Sequence, residues 1–194
     1  MNRIGIVLKK YFPAKCKISV LEKELGRAEY IPRTEDICLG SLIRYSVHSN
    51  KGMHVAHDIE KLAVPLHLGA HDILFFHHVL ELSYFFVPLS SAMDELFELI
   101  SYLYINEQTP LSDNFKKLFL MKFFVILGIY PEKREIRSPY FCRLAATSID
   151  ILAQQDLDLS CQLELDAWLR ACILVHPQQN IFKTLHFLDE SKEA

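Results

Sequence analysis

The sequence predicts an α+β chain in two domains: a small five-stranded β-barrel over residues 1–66, then an all-helical domain over residues 67–194. Three observations lead there. Up to about residue 64, short β-prone runs are separated by tight turn signals. From residue 68 the apolar residues fall into longer runs with helical spacing. The basic residues also concentrate early. Residues 1–68 hold 11 Lys and Arg against 7 Asp and Glu, a net of +4, whereas residues 69–194 hold 10 against 17, a net of −7.

The first strand is expected around Ile4, Ile6 and Leu8, which alternate with Gly5, Val7 and Lys9 and give one strongly apolar face. Pro13 and Ala14 sit in a turn, and Lys17–Leu21 resumes a β-prone run. Gly26, in the turn Glu24–Arg27, reverses the chain into a third strand, Ala28–Ile31. Pro32–Asp36 reads as a loop. Ile37–Val47 reads as a fourth strand with Gly40 as a bulge. Ser49-Asn50-Lys51-Gly52 is a hairpin signal, and Met53–Val64 a fifth strand that Pro65 ends. Five strands in roughly 65 residues with tight turns match the Greek-key barrel of the OB fold.

The helical half begins with Asp72–Phe86, apolar on nearly all sides and stopped by Pro88. Ser90 or Ser91 is expected to cap a second helix that carries Asp94 and Glu95 in its first turn and runs to about Ile105. Asn106–Pro110 is a loop. Ser112 or Asp113 caps a third helix, Asn114–Leu127, which Gly128 ends. After a polar connector, Ile129–Pro139, a fourth helix is expected over Tyr140–Gln154 and a fifth over Glu164–Val175, linked by Asp156–Ser160. Asn180–Leu188 is a short final element.

Composition excludes several classes. A hydrophobic share of 51 % with 11 % aromatics excludes disorder. No window offers the ~20 uncharged apolar residues of a membrane span. The N-terminus lacks the apolar centre of a signal peptide, so a cytoplasmic location is expected. Five Cys without a C-x-x-C pair read as free thiols of a reducing compartment. The His residues, including His67/His71 at i,i+4 and the His54/His57 pair, show no Cys partner or Glu-x-x-His pattern, so no metal is expected. No G-x-S-x-G, phosphate-binding glycine loop or paired-carboxylate motif occurs, so neither an enzyme nor a cofactor is expected.

The residues that carry a functional reading are cations. Arg3, Lys9, Lys10, Lys15, Lys17, Arg27, Arg33 and Arg44, with Lys51 nearby, are of the type that neutralises phosphates. Tyr11, Phe12, Tyr30 and Tyr45 are of the type on which unpaired bases stack, or equally of the type that packs a barrel core or rim. In the helical half, apolar helices bordered by Lys116, Lys117, Lys122, Arg134, Arg137 and Arg143 suggest either a plain core or a groove with a basic rim for a partner peptide.

Several stretches of text resemble the RecO family of bacterial recombination mediators. The opening "GIVL-K", a second strand, "E-x-GR" and a third strand are similar to the start of that family. So are Phe119–Pro131 (FLMKFFVILGIYP), Glu81-Leu82-Ser83-Tyr84 and the tail Leu174–Leu188 (LVHPQQNIFKTLHFL), in the same order. The resemblance implies an OB barrel followed by a helical domain and no catalysis. It implies binding to single- and double-stranded DNA, strand annealing, and partners that include RecR and the acidic C-terminal tail of single-stranded DNA-binding protein. It also implies a cytoplasmic, nucleoid-associated protein. Many RecO relatives carry a four-cysteine zinc knuckle after the segment matched by Phe119–Pro131. Here Glu132–Pro139 occupies that place without a Cys, so no zinc site is carried over. A protein-binding adaptor built on the same two modules, without DNA binding, is the alternative.

Overall fold

The computed structural model describes residues 2–11, 17–33, 36–50, 52–105, 110–131, 141, 143–144, 146–185 and 188. It divides the chain into two compact units, Met1–Thr109 and Pro110–Ala194.

The first unit opens with five strands: β1 (Asn2–Tyr11), β2 (Lys17–Glu22), β3 (Gly26–Pro32), β4 (Leu42–Asn50) and β5 (Met53–Ala63). They close into a barrel in the order β1-β2-β3-β5-β4, with β4 returning to pair with β1. Every pairing is antiparallel except β3 with β5, which meet in parallel only at Ile31↔Val55 and Pro32↔Ala56. Period-two alternation sends Val7, Ile18, Val20, Tyr30, Ile43, Tyr45 and Ala56 inward, where Ile37 joins them in one core.

β1 departs from the expected pattern. Its conspicuous apolar residues Ile6 and Leu8 face away from that core, yet they are as buried as Val7, because the first helix packs on β1. Gly5 permits the close approach of β2. A Cβ there would stand 2.3 Å from Cγ1 of Val20.

The expected fourth strand is corrected at its start. Ile37–Ser41 is not strand, and Gly40 lies in a turn with φ +71° rather than in a bulge. That turn is hooked to β1 by main-chain bonds from Gly40 N to the Val7 carbonyl (2.8 Å) and from Val7 N to the Ser41 carbonyl (3.0 Å).

Two helices complete the first unit: α1 (Ala70–Phe86) and α2 (Asp94–Ile105). The strands end at Ala63 and α1 begins at Ala70, while the compact units part at Thr109/Pro110, with both helices packed with the barrel. The Arg27 guanidinium donates to the Tyr84 carbonyl, the Tyr104 hydroxyl to the Gly40 carbonyl (2.7 Å), and Lys23 pairs with Glu98 (2.8 Å). Ser90 and Ser91 precede α2 instead of capping it. Phe97 N–H reaches the Met93 carbonyl at 2.9 Å, while Ser90 N–H donates to the Arg27 carbonyl of β3. Gly26, at φ +67°, is required there, since a Cβ would lie 1.7 Å from the Ser91 carbonyl oxygen.

The second unit contains α3 (Asp113–Ile126), α4 (Ile149–Leu152), α5 (Leu159–Leu174) and a 3₁₀ turn, Gln179–Ile181. Ser112 is the cap of α3, its hydroxyl accepting from Phe115 N–H at 3.1 Å, and Gly128 at φ +69° follows the helix. The expected fourth helix is interrupted: Ala146–Ser148 is non-helical, and Ser148 stands in extended backbone at the start of α4. The fifth begins at Leu159, earlier than expected, because Asp158 caps it through Cys161 N–H at 2.8 Å. No helix among the described residues is long and apolar enough to cross a membrane.

Candidate nucleic-acid interface

A groove of about 640 Å³ runs along β3 in the first unit. One wall is β3 itself, from Ala28 to Ile31. The other is the β4–β5 hairpin, with Ser49, Gly52, Met53 and His54. Arg3 and Lys17 reach it from β1 and β2, and Leu25, Leu89 and Ser90 close one end. It exists because β5 touches β3 only at Val55 and Ala56, so the strands stand apart over the hairpin end.

The floor is held by a polar cluster at the end of the barrel. Glu22 is 3 % exposed and follows Ile18 and Val20 in the inward alternation of β2. Its Oε1 accepts hydrogen bonds from the Tyr30 and Tyr45 hydroxyls, the latter at 2.6 Å. Arg3 Nη1 stands 3.4 Å from Oε2 and donates to the Tyr30 oxygen at 2.7 Å. Burial, reinforced by the Glu22 carboxylate, pushes the Tyr30 and Tyr45 hydroxyls well above the ordinary tyrosine range. Tyr30 and Tyr45 therefore belong to the core, one of the two readings their sequence positions allow. His54 lies at the rim, its Nδ1 2.8 Å from the Ser49 hydroxyl and its ring edge-on to Tyr30 at 6.5 Å.

The cations singled out by sequence have different fates. Arg3 is tied to Glu22, and Lys17 pairs with Glu29. Lys9 and Arg27 do not face the groove floor. The Lys9 ammonium lies 4.2 Å and the Arg27 guanidinium carbon 5.0 Å from the ring centroid of Tyr84 on α1. Lys10 donates to the Ile37 carbonyl at 3.2 Å. Arg44 pairs with Glu60 at 2.9 Å across β4 and β5. Arg33 is exposed just past β3. Lys15 and Lys51 lie outside the described residues. Tyr11 meets the Tyr84 hydroxyl, joining β1 to α1, while Phe12 lies outside the described residues.

In the second unit, Lys116 and Lys117 are buried, so neither ammonium stands on an open rim. Lys117 pairs with Asp166 of α5 at 2.9 Å, and Lys116 lies 3.6 Å from Asp113. Lys122 donates to the Thr147 carbonyl at 2.7 Å. Arg143 is exposed, and Arg134 and Arg137 lie outside the described residues. Both lysines sit on a helix whose sequence alternates charge with aromatics, and only tertiary packing reveals which side is covered.

Sequence reasoning missed Glu22, Met53, Leu25 and Leu89, and weighed His54 only as a metal ligand. Glu22 alone left a readable signal: a carboxylate at an inward position of a strand must be buried with partners. The others meet only through the fold. Among the described residues no group of three or more His, Cys, Asp or Glu is placed to hold a metal. Cys38, Cys161 and Cys172 are free thiols, and burial raises the Cys172 thiol above its usual range. Compared with protein-family models and with curated proteins, the sequence matches none.

Proposed function

We propose that this chain is a non-enzymatic mediator of DNA repair and recombination resembling RecO, with its barrel acting as an OB-type nucleic-acid module. The supporting observation is the strand order β1-β2-β3-β5-β4 with a groove between the β2–β3 face and the β4–β5 hairpin. In OB barrels that face and that hairpin are where oligonucleotides lie. On this reading single- and double-stranded DNA contact the barrel through Arg33, Arg44 and Lys17, and the helical unit serves protein partners such as RecR and the acidic tail of single-stranded DNA-binding protein. Annealing and recombinase loading would then draw their free energy from exchanging one binding partner for another, with no cofactor.

A second reading is favoured by one observation. The exposed cations of the barrel are mostly paired with carboxylates: Lys17 with Glu29, Arg44 with Glu60, Lys61 with Asp36. Such a surface attracts phosphates weakly and suits a protein-binding adaptor.

A salt titration separates the two. For a mediator, a labelled single strand of ~30 nucleotides binds at low salt with a log–log slope of about −2, the value for roughly three phosphate contacts. The double variant Arg33→Glu/Arg44→Glu lowers the affinity at least ten-fold and flattens the slope by about 1.4, the share of two phosphate contacts. No binding at the lowest salt leaves the adaptor.

A further inference from the structure

We infer that the groove along β3 is a strand-addition site for an extended peptide of a partner protein, one with apolar side chains at alternate positions and a carboxylate for Arg3. This rests on the adaptor reading of the barrel and competes with the nucleic-acid reading for the same groove, so the test below includes the oligonucleotide outcome.

The backbone of β3 carries the argument. Arg27 gives its carbonyl to Ser90 N–H, and Arg33 N–H donates to the Ala56 carbonyl, so both residues turn their polar groups away from β2. Peptide groups in a strand alternate sides, so Glu29, midway between Arg27 and Ile31, presents its N–H and C=O on that same side. No described residue pairs with them. β5 joins β3 only from Ile31 onward, and Leu89 bridges it only at Arg27. The result is a short stretch of open edge, closed at both ends, inside a groove of about 640 Å³. An unpaired strand edge is a template for another backbone.

The lining specifies the side chains. Leu25, Ile31, Met53 and Leu89 are 39 %, 37 %, 53 % and 53 % exposed around this edge. Of the two aromatic residues there, Tyr30 is 4 % exposed and offers no ring face, leaving His54 alone to stack a base. Nucleic acid also lacks an amide repeat with which to use the Glu29 pair. Arg3 supplies the charge complement: its Nη1 serves Glu22 and Tyr30, while its other donors have no acceptor among the described residues. A guanidinium with free donors at a groove wall matches a carboxylate.

The test is selection of a displayed library of random ten-residue peptides on the full chain. Enriched peptides are expected to carry alternating apolar residues and an acid. They should protect the Glu29 amide from hydrogen exchange and weaken at least ten-fold when N-methylated at alternate amides. Met53→Glu and Leu89→Glu, both at exposed positions, should each weaken binding about ten-fold while leaving the thermal unfolding midpoint unchanged. Arg3→Lys should relax the preference for the acid. Failure to enrich any such peptide overturns the proposal, as does equal binding of the N-methylated peptide. Loss of oligonucleotide binding in Met53→Glu without peptide binding would make the groove a nucleic-acid site. Dimerisation abolished by Leu89→Glu would make it a contact between copies. Either result overturns the inference.

Discussion

Glu22 in the first unit and Asp166 in the second are both buried, and they are satisfied in opposite ways. Glu22 closes the end of the barrel with two tyrosine hydroxyls and a partly exposed arginine around it. Asp166 lies between α3 and α5 and faces one fully buried lysine, Lys117. The barrel spreads one charge over several donors of which two are neutral, so losing any one leaves others. The helical unit rests the same burden on a single ion pair, and a lone buried charge is costly. The difference follows from geometry. Side chains from four neighbouring strands, β4-β1-β2-β3, converge on the barrel end, whereas Asp166 on α5 faces Lys117 of α3.

Breaking the simpler arrangement should have the largest effect. Lys117→Met strands Asp166 and is expected to cost about 3–5 kcal/mol in chemical denaturation, while Lys117→Met/Asp166→Leu recovers most of it. A double variant no more stable than the single would show that the pair is not what holds these helices. In the barrel, Tyr45→Phe removes one donor from Glu22 and should cost about 1.5–3 kcal/mol, the range for a hydrogen bond to a charged group. A loss as large as that for Lys117 would show that the donors do not share the charge.

The smallest and most gradual effect concerns pH. Tyr30, Tyr45 and Tyr104 are all held above the usual range, with burial as the leading cause. The folded chain therefore keeps protons that the unfolded chain releases above about pH 10. Their contribution is complete below that pH and is lost as pH climbs beyond it. Urea midpoints between pH 8 and 11 should be flat at first and then fall, and Tyr45→Phe should fall less steeply than wild type. An unchanged alkaline slope in that variant would remove Tyr45 from the explanation.

Much of the fold is legible in the sequence. Strand and helix periods, the turn at Gly26, the hairpin before Met53, the Ser112 cap and the stop at Gly128 are all local rules, and local rules survive in most contexts. The misplaced features depend on distant neighbours. Ile6 and Leu8 form the apolar face of β1, but that face turns outward, because a helix more than 60 residues later in the chain covers it. Ser90 looks like a helix cap and is instead taken by the Arg27 carbonyl.

The candidate site was less legible for the same reason. A list of lysines and arginines is visible in one dimension, but whether each finds a carboxylate, a ring or solvent is decided by which strands become neighbours. By itself, then, the sequence determined the element types, their order, the basic first third and the absence of recognised catalytic motifs, because these depend on residues close together in the chain. Only the tertiary structure decided that Glu22 sits beneath Arg3, that Lys116 and Lys117 are buried, and that β3 keeps an open edge beside the hairpin. Those outcomes require strands and helices far apart in the chain to meet, and no local pattern encodes where two distant segments will touch.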